Sequence, residues 1–243
     1  MKESQLVDLF QRARSDSTLA VIEGVQALKH ASRFKAEIEK IITCDIHLLE
    51  TLLDELAPDV KALVLDLAEE VPETTFARLS PQPPRTKTIA LVKRRNYRLT
   101  DLDKLKPVVL LEDPRDLENI GAVIRVAAAA DVAGVCITGP ADIWHPAVIR
   151  GAAGLHFALP VINIESIDDV RGTREVVALD PTGSDITKKS ISSNAVLLFG
   201  TERHGISPKL LQASDKVVRL PMKAGVSSLN LATSVAATLY SIR

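Results

Sequence analysis

Three stretches carry side chains whose types and spacing could do chemistry. "NIGAVIR" (119–125) offers an amide, Asn119, and a guanidinium, Arg125, one helical turn after Gly121. An amide can orient a polar substrate, and a guanidinium can grip an anion. "LLFGTERHGIS" (197–207) bounds a loop with Gly200 and Gly205 and presents Glu202. The two glycines have Walker A spacing, but Ile206 stands where the phosphate-binding lysine belongs, so an NTPase is excluded. "VSSLNLATSVAATLY" (226–240) sets Ser227, Ser228 and Asn230 at the mouth of an apolar helix. Either serine suits the N-cap. Asn230 falls inside the expected helix, where asparagine is a poor former, so it calls for another partner. Ala232, Thr233, Ser234, Ala236, Ala237 and Thr238 would let another backbone come very close. Each stretch also has a bland reading: a capped helix, a solvated turn, a capping serine.

Other chemistries lose their support. None of the five histidines lies at metal-ligand spacing from another, so no metal is expected. The chain lacks G-x-S-x-G and G-x-G-x-x-G, which removes serine hydrolase and dinucleotide readings. Cys44 and Cys136 share no short spacing, which argues against zinc and for a reducing compartment. No apolar run reaches membrane-spanning length, and "MKESQLVDLF" has no signal core. A soluble cytoplasmic protein without membrane contact is expected.

The elements that must position these residues alternate between strand and helix. With 46% hydrophobic residues and only 3% aromatics, the core must be aliphatic. "LAVIEG" (19–24), "IEKIIT" (38–43), "KALVLD" (61–66) and "KTIALVK" (87–93) read as strands, with helices over "VQALKHASRFK" and "HLLETLLDELA". From residue 107, "PVVLLED", "GVCITG", "LPVINIE", "EVVALD", "AVLLFG" and "KVVRLP" read as buried strands of a mostly parallel sheet. The expected fold class is α/β, with a small domain over 1–98, a linker over 99–106 and a larger domain over 107–243. Ligands of open α/β sheets bind beyond the carboxyl ends of strands, which is where the three chemical stretches fall.

Charge is segregated although the net charge is −1. Residues 37–77 hold 11 acids against Lys40 and Lys61, whereas 78–98 hold seven bases and no acid. Lys93, Arg94, Arg95 and Arg98 are the candidates there for RNA phosphates, against the alternative of a solvated basic surface.

Taken in order, the three stretches resemble the motifs of the SPOUT superfamily, specifically the TrmH (SpoU) family of RNA ribose 2′-O-methyltransferases; the third extends over "VRLPMKAGVSSLNLATSVA" (218–236). More weakly, residues from "VIEGVQALKHA" to "IALVKR" resemble the L30e-like RNA-binding domain of its ribosomal-RNA members. The resemblance implies a deep trefoil knot, a homodimer and S-adenosylmethionine as cofactor. It implies cofactor contacts from Phe199, Gly200, Leu220, Met222 and Leu229. It implies catalytic or substrate roles for Asn119, Arg125, Glu202, Ser228 and Asn230. Ser227 stands where the family often has an acid, and Thr201, Arg203 and His204 are unusual in the second motif.

The implied substrate is a ribose 2′-hydroxyl, with 23S ribosomal RNA favoured by the N-terminal domain. A transfer-RNA enzyme and a non-catalytic RNA-binding knotted dimer are the rivals. A guanidinium stays protonated at neutral pH, so Arg125 fits a phosphate grip and oxyanion stabilisation better than a literal base.

Overall fold

The computed structural model describes residues 2–187, 191–201 and 204–242. It divides into two units, one of Met1–Asn96 with Trp144–Ala158, the other of Tyr97–Ile143 with Leu159–Arg243.

The first unit contains α1 (Glu3–Ala13), β1 (Leu19–Glu23), α2 (Val25–Arg33), β2 (Ile38–Thr43), α3 (Ile46–Leu56), α4 (Lys61–Leu67), β3 (Ala68–Glu70), α5 (Glu73–Phe76) and β4 (Thr88–Lys93). Its sheet order is β1-β4-β2-β3. It is mixed rather than parallel: β4 runs antiparallel to both β1 and β2, and only β2 and β3 are parallel. Leu6, Val7 and Phe10 of α1 enter a core with Val21, Ile42, Phe76, Ile89 and Leu91.

The expected strand over 61–66 is a helix. Only Val64 of α4 is buried, which a helix turn satisfies with one inward residue. The place beside β2 that such a strand would take belongs to Ala68–Glu70 instead.

The second unit contains β5 (Val108–Leu111), α6 (Leu117–Ala129), β6 (Gly134–Ile137), β7 (Val161–Asn163), α8 (Asp168–Arg171), β8 (Val176–Asp185), β9 (Val196–Phe199), α9 (Pro208–Ala213), β10 (Lys216–Arg219) and α10 (Leu231–Ser241). The sheet order is β10-β8-β9-β5-β6-β7, and every pairing is parallel. All four residues of β5, β6 and β9 are buried, which fits strands covered on both faces. The chain leaves β5 toward β6 and leaves β9 toward β10, so adjacent central strands send their connections in opposite directions. That is a switch point, where a crevice opens beyond the strand ends.

The expected linker is built into this unit. Leu99–Asp101 is a 3-10 turn, and Leu102 packs in the aliphatic core with Val108 and Cys136. Arg174 donates to the carbonyls of Asp103 at 2.6 Å and Lys106 at 2.7 Å, which fixes the rest.

Residues 144–158, expected to continue the larger domain, pack with the first unit. Its helix α7 (Pro146–Gly151) carries Arg150, which donates to Glu23 at 3.2 Å. Gly154, at φ +75°, lies so close to α2 that a Cβ would sit 2.3 Å from the Ala27 carbonyl oxygen. Arg14 and Ser80 complete the environment of the buried Glu23 carboxylate, at 2.8 and 2.7 Å.

Candidate active site

At the switch point, the chain leaving β9 forms a tight return. Thr201 N–H donates to the Gly205 carbonyl at 3.0 Å, and Gly205 N–H donates back at 3.1 Å. Gly205 has φ +67°, the left-handed conformation that glycine adopts without steric cost. Gly200 faces this return directly: a Cβ there would lie 2.0 Å from the Gly205 carbonyl carbon and 2.2 Å from the Ile206 nitrogen. The return is also anchored from β5. Glu112 accepts from Ser207 N–H at 2.8 Å, while its own N–H donates to the Phe199 carbonyl at 2.8 Å. Ser207 in turn caps α9, with Pro208 in its first turn.

The third stretch corrects an expectation. Asn230 is not inside the last helix; it is the N-cap. Its Oδ1 accepts from Ala232 N–H at 2.9 Å and Thr233 N–H at 3.3 Å. Neither Ser227 nor Ser228 holds that position. The helix begins one residue later because Leu231, Val235, Thr238 and Leu239 form its buried face at the i, i+4, i+7, i+8 spacing of one helix stripe. The other half of the Asn230 amide, Nδ2, donates to Asn119 Oδ1 at 2.8 Å. Asn119 lies in the first turn of α6, whose own cap is Asp116, accepting from Glu118 and Asn119 N–H. Two helix N-termini, α6 and α10, are thereby tied side by side.

These pieces surround a cavity of about 740 Å³. Phe199, Gly200, Leu220, Met222 and Leu229 all line it, as do Asn119, Ser228 and Asn230. Arg125 does not. It is exposed on α6 and, among the described residues, no hydrogen bond or ion pair holds its side chain. Glu202 lies outside the described residues. Sequence reasoning missed Asp180 and Arg219, which also line the cavity. The carboxyl-end rule could have found Asp180, since it closes "EVVALD". Arg219 is paired with Asp185 at 2.7 Å. Among the described residues, no group of three His, Cys, Asp or Glu side chains is placed to hold a metal ion.

Of the four bases expected to meet RNA, three also have partners within the chain. Arg95 donates to the carbonyls of Phe157, Phe34 and Lys35, each at 2.9 Å, and its guanidinium carbon lies 5.7 Å from the centre of the Phe157 ring. Arg94 donates to the Leu19 carbonyl at 2.6 Å, and Lys93 is paired with Glu37. The Arg98 side chain is exposed.

The fold is that of known methyltransferase structures. A SpoU methyltransferase, AviRb of Streptomyces viridochromogenes, crystallised in complex with AdoMet, is similar over 99% of this chain and 96% of its own, with TM-score 0.78 at 22% identity. Among sequence relatives, the 23S rRNA (uridine(2479)-2′-O)-methyltransferase of Streptomyces viridochromogenes is 32% identical over 158 residues, 58% of this chain and 55% of that protein. The chain therefore spans about half the length of this relative. It spans 92% of the Bacillus subtilis 23S rRNA (guanosine(2553)-2′-O)-methyltransferase RlmP, at 24% identity over 240 residues. Residues 106–240, more than half of the chain and all three chemical stretches, match the SpoU rRNA Methylase family. The chain belongs to that family.

Proposed function

We propose that this protein is an S-adenosylmethionine-dependent RNA methyltransferase that modifies a ribose 2′-hydroxyl, with 23S ribosomal RNA as the substrate class. The observation that carries the reading is the Asn119–Asn230 pair on a cavity lined by all five residues expected to touch the cofactor. The cavity suits that group. Its volume falls within the roughly 300–1,000 Å³ of small-molecule sites. Phe199, Leu220, Met222 and Leu229 supply apolar walls for a purine, and at Gly200 only a bare backbone fits beside the return.

When bound, the cofactor supplies a methyl group activated by a sulfonium, so the protein needs to align the acceptor and manage charge. Asn119 and Asn230 hold each other in place where α6 and α10 begin, beside the cavity. Ser228 offers a hydroxyl to the nucleotide. Arg125, with no partner among the described residues, is available to a substrate phosphate. Its guanidinium stabilises charge on the acceptor oxygen, whose proton passes to phosphate or water, because an arginine is not a base at neutral pH. Glu202 is assigned to holding Arg125 or the 200–205 return.

The reading extends to a trefoil knot in the second unit, an L30e-like RNA-binding role for the first, a cytoplasmic location and a homodimer. In support of the dimer, Val226, Leu229 and Tyr240 are 47%, 42% and 55% exposed in and around α10, apolar area that a second chain would cover. Among the described residues, no helix is long and apolar enough to cross a membrane.

The test is to map ribose methylation in ribosomal RNA by protection from alkaline cleavage, with and without the protein in its host. A protected site that appears only with the protein supports the assignment. An RNA carrying a 2′-deoxy nucleotide at that site must accept no methyl group; if it does accept one, the acceptor is a base atom.

A further inference from the structure

We infer that Asp180 is the counter-ion for a cationic group of the bound cofactor and so sets the cavity's preference for a charged ligand. This rests on the cofactor reading above. Asp180 lies in β8 just past the Val176–Ala178 stretch that pairs with β9, where the strand meets the cavity, and is the sole carboxylate among the described lining residues. Its Oδ1 is held by Thr182, accepting from the backbone N–H at 2.9 Å and the hydroxyl at 2.6 Å. That anchorage leaves Oδ2 as the free acceptor. Oδ2 is turned toward the 200–205 return, 3.9 Å from where a Cβ on Gly205 would stand.

The rest of the lining makes a carboxylate there necessary for a cation. The first turns of α6 and α10 reach the cavity through Asn119, Leu231 and Ser234 and bring no carboxylate to its lining. Arg219 adds a guanidinium, already balanced by Asp185. The other described lining residues are apolar or neutral polar groups, apart from the imidazole of His204. S-adenosylmethionine carries a sulfonium that cannot lose its charge and an α-ammonium. In a half-enclosed site, either is stabilised most by a fixed, pre-oriented carboxylate, and Thr182 supplies the orientation.

Asp180→Asn tests this, because the amide oxygen still accepts from Thr182 while the charge is gone. Calorimetric titration of the full chain uses three ligands: S-adenosylmethionine, with both cations; S-adenosylhomocysteine, with the ammonium only; and 5′-methylthioadenosine, with neither. The variant should retain wild-type affinity for methylthioadenosine and lose about ten-fold or more for S-adenosylmethionine, the scale of one charge-assisted hydrogen bond. Loss for S-adenosylmethionine alone assigns the sulfonium; loss for S-adenosylhomocysteine as well assigns the ammonium. Equal change for all three ligands, or no change, overturns the inference. Should Asp180→Asn not fold, Asp180→Ser keeps a small acceptor for Thr182 and must give the same selective loss. If the wild-type chain binds none of the three, it is the cofactor reading that fails.

Discussion

Asn230 and Asn119, 111 positions apart, share a hydrogen bond of 2.8 Å from Nδ2 to Oδ1 while Asn230 Oδ1 caps α10. One amide thus does two jobs with its two ends. Substitutions can separate them. Asn230→Ala removes both and should cost about 1–2 kcal/mol of stability as well as turnover. Asn230→Ser keeps a capping oxygen but no longer reaches Asn119. It should recover most of the lost stability in urea denaturation and little of the activity. A serine variant with wild-type turnover would show that the cap alone matters.

Gly200→Ala should abolish S-adenosylmethionine binding. The atoms that the new methyl group would meet, at 2.0–2.2 Å, are backbone atoms of the return and cannot swing aside. Calorimetry reads the loss, and a melting curve should show a lower transition. Undiminished binding would mean that the return is not part of the cofactor site.

Arg125→Ala should leave stability within about 0.5 kcal/mol of wild type, since the side chain is exposed and has no partner among the described residues. Cofactor affinity should also hold, because Arg125 is outside the cavity lining. Turnover on RNA should fall on the order of 10²-fold, as for loss of a key transition-state donor. A matching fall in cofactor affinity would move Arg125 out of the proposed role.

Arg95 and Arg98 should part company. Arg95→Ala strands three carbonyls and should destabilise the protein by about 1–3 kcal/mol. Arg98→Ala should leave stability unchanged and reduce the salt dependence of RNA binding by about 0.7–0.9 in the log–log slope, the share of one phosphate contact. An unchanged slope would make Arg98 a solvated surface charge.

Much of the second unit was legible because its strands are continuous aliphatic runs ending at the chemical residues. "VVLL", "GVCI" and "VLLF" are covered on both faces, and such strands announce themselves. The position of Asn230 was not legible. Ser227 and Ser228 are equally good caps by type, and only packing of Leu231 and Val235 decides where the helix starts. The helix α4 misled because "KALVLD" is apolar enough for a strand, yet Leu63 is 49% exposed. The use of Arg95 was hidden for another reason. Its carbonyl partner at Phe157 lies 62 positions away, and a basic cluster reads the same whether its cations face solvent or the protein's own backbone.

Because residues 144–158 pack with the first unit but follow β6 in the chain, that unit is not a contiguous N-terminal piece. On the ribosome it cannot finish folding when residue 96 emerges. Glu23 must wait for Arg150, Arg95 for the Phe157 carbonyl, and His30 for the Ala153 carbonyl that it meets at 2.7 Å. By then β5 and β6 of the other unit have already been synthesised. A gene cut near residue 98 would therefore yield one product lacking a helix that its core expects, and another carrying that helix with nowhere to place it.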